Sequence, residues 1–148
     1  MDHRMKGDHL PDNDHVVRYC PGSKLAEDGT PQATAFYLRR NEKYLSVEWM
    51  EYLQQHTKED PVKKVASIFK EKLNIGPTAR MAVLNVGNMC HHVKTQTAST
   101  IRVLHEPGKN DPAHAGIHDT AQDEMIIAEL ITETVDTLYP FPLISRGQ

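Results

Sequence analysis

The segment of this sequence that most constrains its fold is Met81–Val86 within RMAVLNVGN, which is apolar at every position except Asn85. A run this dense, without polar alternation, is expected of a strand covered on both faces. Gly87 directly after it is expected to mark a bulge or a bend. Further strands are predicted over HVVRYC, ended by Pro21-Gly22, and over ATAFYLRR, where Phe36 and Leu38 share a face; these two are expected to pair. TIRVLHE reads as another strand, with Ile101, Val103 and His105 on one side.

Helical periodicity appears in three places. Leu45–Gln55 places Trp49, Met50 and Leu53 at three- and four-residue spacing behind Ser46 as N-cap. Pro61–Leu73 has Asp60 as N-cap, Pro61 at the first helical position and a stripe of Val62, Val65, Ala66, Phe69 and Leu73. Thr120–Leu138 carries a broad apolar face, continued by Phe141, Leu143 and Ile144. PGKNDPAHAGIHDT reads as a loop because Pro107-Gly108 and Asp111-Pro112 break regular structure. The strands come without regular βαβ alternation. The expected fold is therefore α+β: a mostly antiparallel sheet of about four or five strands packed by about three helices. Residues 1–14, with few apolar side chains, are expected to be a disordered N-terminal tail, and residues 15–148 a single α+β domain.

Length and composition narrow the function. A chain of 148 residues, 39% of them hydrophobic, is enough for one domain with a core and short for two. A net charge of −3 excludes a nucleic-acid binder that works by overall positive charge. No apolar run approaches the roughly 18 to 20 residues that span a bilayer. With a charged N-terminus, neither a membrane span nor a secretory signal is expected. Cys20 and Cys90 lie far apart without CxxC spacing, which points to a reducing, cytoplasmic setting. Charge is uneven along the chain, because residues 61–110 hold eight Lys/Arg and two Glu whereas residues 111–148 hold one Arg and seven acids.

The histidines, nine in all, are the main chemical signal. His105, His114 and His118 fall in one short stretch, where imidazole nitrogens at a strand end and in a loop would hold zinc or another divalent metal. His92 and His105, on neighbouring predicted strands, are the candidates for acid/base catalysis and are expected to converge with His15 or Arg18. Cys90 beside His92 is a weaker nucleophile–base pair. Arg18 with Arg39 and Arg40 suits a small anion, since guanidinium forks match carboxylate and phosphate, and His15, Lys63 and Lys64 would extend that set. No phosphate-cradling glycine motif accompanies them.

These features are read as a small, cytoplasmic, bacterial ligand-binding or accessory module with a histidine- and arginine-lined pocket. Its partner would be an unidentified small molecule or protein, with a homodimer as one use of the last helix's apolar face. One competing expectation is a hydrolase or transferase acting on a phosphate-containing substrate. Another is nucleic-acid binding through the basic 61–110 segment.

Overall fold

The structure, a computed structural model, describes residues 6–141. It contains one antiparallel sheet of six strands: β1 (His15–Cys20), β2 (Leu45–Trp49), β3 (Arg80–Asn85), β4 (Arg102–His105), β5 (His114–His118) and β6 (Val135–Pro140). Their order across the sheet is β4-β5-β2-β1-β3-β6. Four helices complete it: α1 (Met50–His56), α2 (Pro61–Lys72), α3 (Val86–Thr97) and α4 (Glu124–Thr132). The α+β class stands, with more strands and helices than the sequence suggested.

Of the Met81–Val86 run, Met81–Asn85 becomes a strand covered on both faces, and Val86 opens the following helix. On one side Val16, Leu45, Val47, Trp49, Ala82, Leu84, Val103 and Ile117 pack against α3, α4 and a 3-10 turn at Ala33–Phe36. On the other, Val17, Tyr19, Met81 and Val83 lie under Leu53 of α1 and Val65, Ala66, Ile68 and Phe69 of α2. Helix α2 forms as expected. The Asp60 side chain accepts from the Val62 N–H at 3.0 Å, and Pro61 starts the first turn. Burying Val65 and Phe69 stabilises the docking by about 1.5–3 kcal/mol per side chain.

Several elements differ from their sequence reading. Leu45–Trp49 is a strand rather than the start of a helix, because Leu45, Val47 and Trp49 alternate into the core while Leu45–Glu48 pair with β5 and Trp49 with Val16 of β1; helix begins only at Met50. The partner strand β5 was hidden among turn residues. Its Gly116 is the position where the Tyr44 ring lies on the sheet, so close that a Cβ would meet ring carbons at 2.2 Å. Val86–Thr97 is a helix, capped by the Asn85 side chain on the Asn88 N–H at 2.8 Å. Val86, Met89 and Val93 are its buried stripe, and Gly87 sits in its first turn rather than in a bulge. The predicted strand over ATAFYLRR is a 3-10 turn followed by an irregular segment, and β1 pairs with β2 and β3 instead. The last helix stops at Thr132, and Val135–Pro140 returns as a strand on the edge of β3.

Part of the expected tail is held in place. Gly7 N–H donates to the His105 carbonyl at 2.6 Å, His105 N–H to Asp8 at 2.8 Å and Leu10 N–H to Val103 at 2.9 Å, while Leu10 is buried in the core. Residues 1–5, and Leu143 and Ile144 of the apolar tail, lie outside the described residues. Among the described residues no helix is long and apolar enough to cross a membrane.

Candidate anion-binding site

Strands β1 and β2 pair only at Val16–Trp49 and Val17–Glu48. Beyond Val17, β1 continues along β3 and β2 along β5, so the sheet splits. Arg18 fills the split. Its guanidinium donates to the carbonyls of Ala35 at 3.0 Å, Ser46 at 3.1 Å and Tyr37 at 3.4 Å, and to Glu42 at 3.3 Å. Burial lowers the Arg18 pKa and the Glu42 carboxylate opposes that shift.

Glu42 also closes the turn that follows the irregular segment. Its carboxylate accepts from the Arg39 N–H at 2.7 Å and the Ser46 N–H at 3.2 Å, while Asn41 takes a left-handed φ of 72°, which Asn tolerates. This turn presents Arg39 and Arg40 at the mouth of a cavity of about 280 Å³. Arg39 lies over the Tyr19 ring, 5.6 Å from its centroid. Arg18, Glu48, Lys72 and His114 line the same cavity, with Phe69 and Leu73 from the end of α2.

Glu48 is the unusual member, being 1% exposed. Burial, reinforced by Asp111 and opposed by Lys72, pushes its carboxyl up to about 10, so at neutral pH it carries a proton. Burial works against ionisation of Asp111 too, but the hydrogen bond from Glu48 and the Lys72 ammonium outweigh it and hold that carboxyl below its ordinary value. Lys72 pairs with Asp111 and stands 3.6 Å from Glu48. Glu48 Oε1 and Asp111 Oδ1 are buried without a hydrogen-bond partner, and the proton that Glu48 carries is the donor available to this corner. Of the four cations on the cavity wall, Arg18 is paired with Glu42 and Lys72 with Asp111, which leaves Arg39 and Arg40 without an ion-pair partner there.

Of the residues expected to hold an anion, Arg18, Arg39 and Arg40 line this cavity, whereas His15, Lys63 and Lys64 do not. Arg18 spends four N–H groups on protein acceptors, and so shapes the site more than it offers to a ligand. His15 is bound to Glu51 at 2.7 Å and approaches Asp136 at 3.8 Å. Lys63 is exposed on α2, and Lys64 lines a separate cavity of about 230 Å³ with Tyr52, His56 and Asp111.

The proposed histidine metal cluster does not form. His105 pairs with Ala115, the neighbour of His114, so it lies on the opposite sheet face from His114 and His118. His118 bonds to Glu106 at 2.8 Å, His114 Nδ1 to the Glu106 carbonyl at 2.9 Å, and His105 Nε2 to the Pro112 carbonyl at 2.8 Å. Among the described residues no group of three His, Cys, Asp or Glu side chains is placed to hold a metal ion.

Nor do the catalytic candidates converge. His92 belongs to α3 and bonds to Glu133 at 2.7 Å, whereas His105 is buried on β4 with its ring edge against Trp49. From β4 to β1 is three strand spacings, about 14 Å. Cys90, on the same helix as His92, is pushed up to about 11 by burial and stays a thiol at neutral pH. Glu48 escaped the sequence reading altogether. Glu48 lies within the segment read as a helix, and nothing local shows that it would be buried beside Lys72 and Asp111.

Fold and site together define an antiparallel α+β protein with a cationic cavity at a split in its sheet. Comparison of the chain with protein-family models, with curated proteins and with solved structures found no match.

Proposed function

We propose that the protein is a binding module for a small anionic ligand of the phosphate or carboxylate class, seated in the cavity between the Arg39–Glu42 turn and the end of α2. The observation that carries this reading is the placement of Arg39 and Arg40 with Lys72 around a cavity whose buried acid, Glu48, is protonated. Neutral Glu48 removes the repulsion that a carboxylate there would impose on an anion, and it has hydrogen-bonding capacity of its own. The ligand-facing cations sit on a turn held by Glu42 and Arg18, so little reorganisation is required on binding.

Isothermal titration calorimetry with inorganic phosphate tests the reading. Wild-type protein is expected to bind, and the double variant Arg39→Ala/Arg40→Ala to bind at least about tenfold more weakly, as expected for losing charge-assisted hydrogen bonds of about 1.5–3 kcal/mol. Lys63→Ala, on the remote face of α2, should bind as wild type does. Equal affinity in the arginine double variant would refute the site.

A further inference from the structure

The cavity of about 280 Å³ is larger than an inorganic phosphate ion needs. It lies near the lower end of the range, about 300–1,000 Å³, in which proteins enclose whole small organic molecules. Its wall has two sides. The Arg39–Glu42 turn supplies the two guanidinium groups that have no ion-pair partner there. Tyr19, Val47, Phe69 and Leu73 supply an apolar side, and more of the exposed wall is apolar than polar. The apolar side is held by its own packing. The Tyr19 and Phe69 rings stand 5.9 Å apart, and Phe141 backs both, at 5.8 and 6.3 Å. Leu73, at the end of α2, donates its N–H to the Phe69 carbonyl at 2.8 Å. The remaining charged groups are already engaged: Arg18 donates to three carbonyls and Glu42, and Lys72 pairs with Asp111. Glu48 is 1% exposed and offers almost no surface to an occupant. An apolar group lying against this wall therefore strands no unpaired charge, whereas an inorganic anion would leave the apolar side in contact with water.

We propose that the ligand of this cavity is an amphipathic phosphate monoester, with its phosphate on Arg39 and Arg40 and an apolar group the size of one aromatic ring against Val47, Phe69 and Leu73. This rests on the anion site proposed above. Two guanidinium groups without partners match the double charge of a phosphate monoester better than the single charge of a carboxylate, and each fork takes two oxygens. The boundary between the two sides falls at Arg39, whose guanidinium stands over the Tyr19 ring, 5.6 Å from its centroid. The phosphate sets the orientation of the ligand, and the apolar group adds affinity through the area that it removes from water.

Calorimetric titration of the full chain with methyl phosphate and phenyl phosphate is the test, because the two share a charged group and differ in the apolar one. Wild type is expected to bind phenyl phosphate at least about tenfold more tightly than methyl phosphate. Arg39→Ala/Arg40→Ala should weaken both by about tenfold or more. Leu73→Ser, at the half-buried end of α2, should weaken phenyl phosphate by about threefold or more and leave methyl phosphate unchanged. If Leu73→Ser does not fold, NMR of the wild type decides the seat: the ring of phenyl phosphate is expected to shift the Leu73 methyl resonances, and methyl phosphate to leave them in place. Equal affinity of wild type for the two esters, with both weakened in the arginine variant, would overturn the amphipathic ligand and leave the anion site standing. Tighter binding of phenyl phosphate that neither Leu73→Ser nor the Leu73 methyls register would put the ring elsewhere and overturn the proposed seat. Phenyl phosphate binding that ignores the loss of both arginines, or no binding of either ester, would overturn this proposal and the anion site together.

Discussion

Glu48 and Arg18 are two charged-type side chains buried at 1% exposure each, and their surroundings treat them differently. Arg18 stays charged because Glu42 and three carbonyls receive its N–H groups. Replacing Arg18 by Ala strands those acceptors in the split of the sheet, and urea denaturation should show a loss of about 3–5 kcal/mol. A loss below about 1 kcal/mol would mean that water takes over the role of the guanidinium. Glu48 is instead protonated, with its carboxyl raised to about 10 from an ordinary 4.5. Between these values the folded state binds more protons than the unfolded state, so this group's contribution is complete below about 4.5 and declines as pH rises towards about 10. Glu48→Gln keeps the donor to Asp111 and removes the titration. Its stability relative to wild type should therefore increase from pH 5 to pH 8, by at most about 1.4 kcal/mol per pH unit, in thermal melts across that range. A pH-independent difference would contradict a protonated Glu48. Neither role was readable from sequence. Arg18 was legible as an anion-seeking residue, but not as one whose donors are already used.

At the scale of elements, legibility followed how much of the signal was local. Helix α2 carries its cap, its proline and its apolar stripe within its own residues, and β1 and β3 are bounded by breakers and dense in β-favouring side chains. Strands β2, β5 and β6 are different. Each needs a neighbour to satisfy its backbone, and Leu45–Trp49 also contains a three- and four-residue spacing that helices share. Helix α3 was obscured by His91, His92 and Thr residues with modest helix propensity, and is stabilised by its Asn85 cap and by burial of Met89 and Val93. Its first turn is also where the N-terminal segment docks. Gly87 N–H donates to the Asp12 carbonyl at 2.9 Å, and a Cβ on Gly87 would meet that same oxygen at 2.9 Å. Gly87→Ala should therefore cost about 1–3 kcal/mol and speed amide exchange over residues 7–14, as measured by hydrogen exchange with mass spectrometry. Unchanged exchange there would show that the segment is held by β4 alone.

Across the whole molecule, the charge asymmetry of the sequence is partly offset because basic and acidic segments are interleaved. Strand β3 lies beside β6, β4 beside β5, and Lys72 meets Asp111 while Arg102 meets Asp119 at 2.6 Å. The basic 61–110 segment thus gives part of its charge to internal pairs, and what remains of α2's lysine face is Lys63, Lys64 and Lys70. The two edges of the sheet also differ. Residues 7–10 cover β4, whereas β6 carries a half-buried to exposed pattern along the opposite edge. Removing residues 1–10 uncovers β4 and takes Leu10 from the core; the truncated chain should melt at lower temperature and show a concentration-dependent rise in apparent mass on size-exclusion chromatography. A truncated chain that stays as stable and as small as the intact one would show that the cover is dispensable. By itself the sequence determined the α+β class, the strand covered on both faces, the α2 helix and the presence of arginines suited to an anion, because each of these depends on residues adjacent along the chain. Only the tertiary structure decided that β1 and β2 separate beyond Val17, that Arg39, Arg40, Lys72 and His114 share a cavity and that Glu48 keeps its proton there. Those outcomes depend on strand register and on burial by distant segments, and nothing in the local sequence encodes either one.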